Sequence, residues 1–213
     1  MCASSSMIGS FIAFEGGEGC GKSTQARILA DGLDAVLTRE PGGTDIGARL
    51  RAILLNPLTK DLCVQAEALL MAADRAQHVH EVIRPNLHAG RHVVSDRYLY
   101  SSVAYQGGGR GLPGDDVREL SLWATERLEA DLVILLDLAP EVAQLRLDRE
   151  LDRFELSTHQ FHEAVRTSFL EQAAADPTRW VVLDASCSVE DLENQVAAVV
   201  FERLGLESVP SDD

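Results

Sequence analysis

Residues 14–25 read FEGGEGCGKSTQ, and the spacing Gly16-x-x-x-x-Gly21-Lys22-Ser23 within them belongs to a loop that cradles polyphosphate. Backbone N–H groups of Gly19, Gly21, Lys22 and Ser23 can converge on phosphate oxygens, helped by the positive end of a helix opening at Lys22. Lys22 adds a point charge at the β and γ phosphates, the Ser23 hydroxyl suits Mg²⁺, and Thr24 reaches a further oxygen. Gly16, Gly17 and Cys20 complete the loop. The alternative is an incidental glycine turn, against which stand an apolar run before the loop and a helical pattern after it. Glu18 looks out of place. Repulsion keeps its carboxylate out of a phosphate nest, so it must turn outward toward a hydrogen-bond donor.

Further chemistry follows along the chain. Thr38-Arg39-Glu40-Pro41-Gly42-Gly43-Thr44 sets charged groups on a rigid turn after a strand, where α/β folds bind ligands; a plain connecting turn is the alternative. Ser95-Asp96-Arg97-Tyr98 ends another strand. There Asp96 suits a metal or its waters and Arg97 faces phosphates, against the alternative of a surface ion pair. Ser102 and Gln106, and likewise Ser101 and Tyr105, lie four apart and could read the edge of a base. Glu67, Met71 and Arg75 follow at i, i+4 and i+8. Arg146, Arg149 and Arg153 recur at spacings of three and four within LRLDRELDRFE, roughly one helical face, with a solvated ion-paired helix as the alternative. Cys20, at a helix amino terminus, predicts a reactive thiol whose alkylation inactivates and which ATP protects; a small packing residue is the other reading.

These residues need a frame to hold them. Short apolar runs alternate with helical patterns, which predicts an α/β fold with a parallel sheet. The expected strands are Ser10–Glu15, Ala35–Thr38, His92–Ser95, Leu132–Leu136 and Trp180–Leu183. Helices are expected to begin near Lys22, Ile46, Gln65, Tyr98, Gly114, Pro140, Thr158 and Val189. Pro41-Gly42-Gly43 and Gly107-Gly108-Gly109 read as loops. The 213 residues suit one domain, with a loose leader over 1–9 and a frayed tail over 206–213. Nineteen basic against 34 acidic residues give a formal net charge of −15, which repels nucleic acids and anionic membranes and leaves anion binding to a local basic cluster. No apolar run reaches the roughly 20 residues of a bilayer span, and the four cysteines form no C-x-x-C pair, so a cytoplasmic protein with reduced thiols is expected.

A phosphate loop alone does not name the acceptor, since GTPases, ATP-driven motors and small-molecule kinases all carry one. The Asn-Lys-x-Asp motif of a GTPase is absent. FEGGEGCGKSTQ, TREPGGT, SDRY and SSVAYQGGGRG, in this order and spacing from about Phe11 to Val200, together resemble the thymidylate kinases. The resemblance implies a P-loop kinase fold: a five-stranded parallel sheet in the order 2-3-1-4-5, flanked by helices, with a small mobile lid at 146–156. It also implies transfer of the γ-phosphoryl of ATP to dTMP with Mg²⁺, and a homodimer packed through helices. Left open beside it are another P-loop kinase of nucleosides or nucleoside monophosphates, and a nucleotide-binding regulatory protein without transfer chemistry.

By resemblance, Glu18 meets the sugar 3′-hydroxyl of the acceptor, and Arg97 holds its phosphate. Arg75 and Gln106 contact thymine or that phosphate, Ser102 bonds the base edge, and Tyr105 crowds the sugar 2′ position. Glu40, Pro41, Arg51 and Ser101 join the acceptor site, and Asp96 stands near Mg²⁺ with Ser23. Met71 occupies a position where many members carry Phe stacked on thymine. One group of thymidylate kinases has an arginine directly after the acidic residue of the loop, where this chain has Gly19. The missing charge is therefore expected from the lid, with Arg146 against adenine and Arg149 and Arg153 at the transferred phosphoryl. Phe154 and Glu155 are expected over the acceptor sugar, and Asp184-Ala185-Ser186 near adenine.

Overall fold

The structure is a computed structural model that describes residues 9–146 and 150–207. Five parallel strands, β1 (Phe11–Glu15), β2 (Val36–Arg39), β3 (Val93–Asp96), β4 (Leu132–Asp137) and β5 (Trp180–Asp184), form one sheet in the order β2-β3-β1-β4-β5. Every strand boundary falls within one residue of its expected place. The reason is physical: strands of a parallel sheet are covered on both faces and so read as unbroken apolar runs. Alternation along β1 then assigns the two layers. Ile12 and Phe14 pack with Leu29, Leu192 and Val196, from helices α1 (Lys22–Gly32) and α9 (Val189–Leu204). Phe11 and Ala13 face the opposite layer with Ile83, Leu99 and Phe169.

That second layer holds α2 (Asp45–Leu55), α3 (Val64–His78), α4 (Arg84–His88), α5 (Leu99–Ser102), α6 (Gly114–Ala124) and α8 (His159–Ala175), of which α2, α3 and α5 line the site. Helix α7 (Pro140–Leu145) packs through Ala143 with the layer of α1 and α9. Thr44 caps α2 by accepting from the Gly47 N–H at 2.9 Å, and Thr158 caps α8 by accepting from the Phe161 N–H. A π-helical turn at Val79–Ile83 joins α3 to α4.

One expectation about this layer needs correction. Gly107–Gly109 is not a loop but the end of a π-helical segment, Val103–Gly109, that continues α5. A Cβ at Gly108 would come within 2.8 Å of Ser168 Cβ, and one at Gly109 within 2.4 Å of the Phe161 ring. The glycines therefore serve close packing against α8 rather than a turn.

Candidate active site

At the carboxyl end of β1 the chain passes through Gly16–Gly21 into α1, so the phosphate loop stands at the head of the sheet. Gly19 has φ +67°, and a Cβ there would lie 2.6 Å from the Ala143 carbonyl oxygen. A side chain at this position would carry the cost of a positive φ and would need the Ala143 carbonyl to shift, which disfavours an arginine in the loop. Lys22 is buried, with Nζ donating to the Gly17 carbonyl at 2.5 Å across the loop. Ser23 Oγ donates to Asp96 Oδ2 at 2.5 Å, joining the first turn of α1 to the end of β3. A hydroxyl and a carboxylate side by side are oxygen donors of the kind a hard divalent cation prefers.

Cys20 departs from expectation. Its side chain is 1% exposed and belongs to the core beneath the loop, with Sγ 3.1 Å from the Gly17 carbonyl. The thiol is packed, not presented, so the reading as an accessible nucleophile is not supported; a small packing residue describes the position.

A cleft of about 380 Å³ opens beside the loop. Gly19, Gly21, Lys22, Ser23 and Thr24 form its floor, and the expected acceptor residues Glu40, Pro41, Arg51, Met71, Arg75, Arg97, Ser101, Ser102, Tyr105 and Gln106 line the remainder. Glu18, the misplaced acid, turns outward as repulsion demands. It accepts from Arg97 Nη2 at 2.5 Å and from the Tyr105 hydroxyl at 2.8 Å. Burial acts to raise its carboxyl, but Arg97, then Lys22 and the Tyr105 hydroxyl, outweigh that and hold it down at about 2.

Arg97 sits at φ +73° and also donates to the Gly16 carbonyl and to Ser101 Oγ. Its pKa is well above the usual value: burial works against the charge, and Glu18 with other nearby oxygens more than restores it. Beneath it lies Glu15, fully buried, which accepts from the backbone N–H groups of Tyr98 and Ser101 and from Ser101 Oγ at 2.5 Å. Burial pushes Glu15 up to about 7, against the hydrogen bond from Ser101 and the charge of Arg97. The sequence reading passed over this acid, which fastens the turn that carries Arg97.

Arg51 donates to the Pro41 carbonyl at 2.8 Å. Burial first, and then the guanidinium groups of Arg39 and Arg97, lower its pKa. Cations that crowd one another beside a cleft mark a place for an anion. Arg39, on β2 in register with Asp96, is a lining residue that went unassigned; its signal was its place at the end of a strand adjoining the β3 site.

Deeper in, Arg75 is almost wholly buried. Nε donates to Glu40 at 2.7 Å, Nη1 to Ser121 Oγ, and Nη2 to Ser102 Oγ at 3.0 Å and the Tyr98 carbonyl. Glu40 also meets His78 Nδ1 at 2.9 Å, and His78 Nε2 lies 2.5 Å from Thr38 Oγ1. Glu40 therefore lines the cleft mainly as the support of Arg75. Met71 is half-buried against the core at the cleft wall.

The lid differs from the expected helical face. Helix α7 stops at Leu145 and Arg153 stands in a turn over 153–156, so Arg146 and Arg153 do not lie on one helix. Arg146 donates to the Ala185 carbonyl at 2.9 Å, beside the Asp184-Ala185-Ser186 loop. Arg149 lies outside the described residues. Arg153 is turned toward α2 and α3, with Nε on the Leu54 carbonyl at 2.8 Å and Nη1 on Glu67 at 2.7 Å. The buried carboxylate of Glu67 draws it there, away from the phosphate loop. Phe154 lines the cleft and packs edge-on against Tyr105 at 5.7 Å. Glu155 instead lines a neighbouring cavity on the other side of the loop, with Gly17 and His162, and accepts from the Asp152 N–H.

A phosphate loop on a 2-3-1-4-5 parallel sheet, opening into a cleft with a second basic cluster, defines a P-loop kinase of a small phosphorylated acceptor. A family model described as thymidylate kinase matches residues 14–196. Proteins named thymidylate kinase are similar along nearly their full lengths. The one from Leifsonia xyli subsp. xyli is 51% identical over 196 residues, covering 88% of this chain and 92% of that protein. The one from Clavibacter sepedonicus is 48% identical over 200 residues, covering 90% and 94%. The one from Neisseria gonorrhoeae is 44% identical over 202 residues, covering 92% and 98%. The chain belongs to the thymidylate kinase family.

Proposed function

We propose that this protein transfers the γ-phosphoryl of ATP to dTMP, giving dTDP and ADP for dTTP synthesis. The observation that carries the reading is one cleft with two anion sites, the loop of Lys22 and Ser23 and the cluster of Arg39, Arg51 and Arg97. The loop holds the donor phosphates, and the cluster holds the acceptor phosphate against them. Fixing two anions in line removes the entropy of their encounter, and the guanidinium groups offset charge that would otherwise drive them apart. Glu18, clamped by Arg97 and Tyr105, stands between the halves with a free carboxylate edge for the acceptor sugar hydroxyl. Arg75, Gln106 and Met71 face the base, and Phe154 closes over Tyr105 to exclude water.

Ser23 and Asp96 would hold Mg²⁺, which would supply positive charge to offset that of the donor phosphates. The same reading carries a homodimer, for which the support is apolar exposure on two helices that pack together: Leu69 of α3 is 58% exposed and Trp123 of α6 is 79% exposed. Among the described residues no helix is long and apolar enough to cross a membrane, and a cytoplasmic location fits the substrates.

The test is ADP release from ATP and Mg²⁺ with dTMP, dUMP, dCMP, dGMP, AMP and thymidine supplied singly. Turnover that is strong with dTMP and weak with the rest is the expected result. ATP binding without turnover on any acceptor would overturn the assignment.

A further inference from the structure

Gln106 is 1% exposed and lines the cleft, yet its side-chain oxygen Oε1 has no hydrogen-bond partner among the described residues. Its amide nitrogen does: Nε2 donates to Glu67 Oε1 at 3.0 Å. Glu67, in the first turn of α3, is itself 1% exposed and also receives Arg153 Nη1 at 2.7 Å and Arg110 Nε at 3.3 Å. A carboxylate only accepts hydrogen bonds. Turning the Gln106 amide round would set its oxygen against that carboxylate in a buried place, losing one hydrogen bond and adding repulsion. The amide therefore has one permitted orientation, and it leaves an acceptor without a partner at the wall where the base is expected.

We propose that Glu67 is a specificity-positioning residue: by holding Gln106 Nε2 it commits Oε1 to the acceptor base, so that the cleft selects a base edge bearing an N–H. The inference rests on the acceptor reading given above and deepens it. Thymine and uracil present N3–H, a donor that satisfies Oε1. Cytosine presents an unprotonated N3, and two acceptors then face each other with no water between them. A site built around a hydrogen bond rejects the analogue that cannot make it far better than an apolar pocket rejects a changed shape. Arg153 reaches the same carboxylate through its other oxygen, Oε2, and leaves the hold on Gln106 to Oε1.

The experiment compares kcat/KM for dTMP, dUMP and dCMP in the wild type, Glu67→Gln and Arg153→Gln. A glutamine at 67 has both a donor and an acceptor, so either orientation of Gln106 becomes possible. In Glu67→Gln the dTMP to dCMP preference is expected to fall about 10- to 100-fold, corresponding to one buried hydrogen bond. The dTMP to dUMP ratio should stay within about twofold, because both bases carry the same N3–H. Arg153→Gln should raise KM for dTMP and dCMP together and leave their ratio in place. A Glu67→Gln enzyme that keeps the wild-type dTMP to dCMP ratio overturns the inference, as does an Arg153→Gln enzyme that shifts the ratio equally. Should the Glu67 variant not fold, titration of the wild type with dTMP and its N3-methyl analogue decides the matter: the analogue must bind at least about tenfold more weakly, and equal affinity overturns the inference. A wild type that uses dCMP as well as dTMP refutes the acceptor reading itself, and this inference with it.

Discussion

Glu18→Gln removes one charge from the junction between the two anion sites and changes almost no volume. Glu18 is 22% exposed and Arg97 13%, and their contact at 2.5 Å is the shortest that Arg97 makes. A carboxyl held at about 2 rather than its usual 4.5 stabilises the fold by roughly 3 kcal/mol at ~1.36 kcal/mol per pH unit. Glutamine still accepts a hydrogen bond, worth about 1 kcal/mol, so the net loss at neutral pH is about 2 kcal/mol. For a chain of this length that is a fall in melting temperature of about 4–8 °C. The sign with pH follows from the depressed value. The wild-type advantage is complete above about 4.5 and disappears as pH falls toward 2, so the two proteins should converge in acid. Freed from Glu18, Arg97 keeps the Gly16 carbonyl, Ser101 and Tyr105 as partners but loses its fixed place. The sugar hydroxyl loses its partner as well, and kcat/KM for dTMP should fall about 30-fold. Thermal melts at pH 7 and pH 3, with ADP-release kinetics at pH 7, measure both effects. A melting shift under about 1 °C at pH 7, together with kcat/KM within about threefold of wild type, would refute the reasoning.

Met71→Phe should lower KM for dTMP by about two- to tenfold, since a rigid ring at the cleft wall stacks on the base more firmly than a thioether; an unchanged or raised constant counts against stacking there. Glu15→Gln should flatten the pH dependence of stability. With its carboxyl raised from 4.5 to about 7, Glu15 favours the fold fully below 4.5 and loses that contribution, about 3 kcal/mol, as pH rises through 7; thermal melts from pH 5 to pH 8 in both proteins test this, and parallel curves would refute it. Gly109→Ala should cost about 1–3 kcal/mol in urea unfolding, because its Cβ meets the Phe161 ring. A neutral substitution there would mean that the π-helical segment and α8 can separate freely.

What the sequence disclosed and what it hid divide along a physical line. The strands and the starts of the main helices were legible because burial on two faces, or a turn residue before an apolar period, leaves a local trace. The phosphate loop was legible because its chemistry fixes residue types at fixed spacing. Residues 107–109 were misread because glycines admit both turns and close packing, and only the neighbour, α8 with Phe161 and Ser168, decides between them. The direction of Arg153 was illegible for a similar reason. A lid arginine can point either way, and its direction is set by Glu67, which is 86 residues earlier. Glu67 stood out only as one of three residues at helical spacing with Met71 and Arg75, and its distant partners Gln106 and Arg153 leave no local trace.

The acids hidden under the cleft give the site its order. Glu15, Glu40 and Glu67 are all buried, and each holds a different part of the wall: the turn that carries Arg97, the Arg75 guanidinium, and the Gln106 amide. Each carboxylate loses its hydration on burial, at a cost of several kcal/mol that hydrogen bonds and guanidinium charge must offset. A core of hydrocarbon alone would avoid that cost but could not aim a donor or an acceptor. Placed beneath the cleft, the acids fix the polar groups of the wall before any ligand arrives, so that little reorganisation is left for the moment of transfer. On this account the stability spent under the cleft and the selectivity gained above it have the same origin, and a variant that relieves one of these buried charges should trade the second for the first.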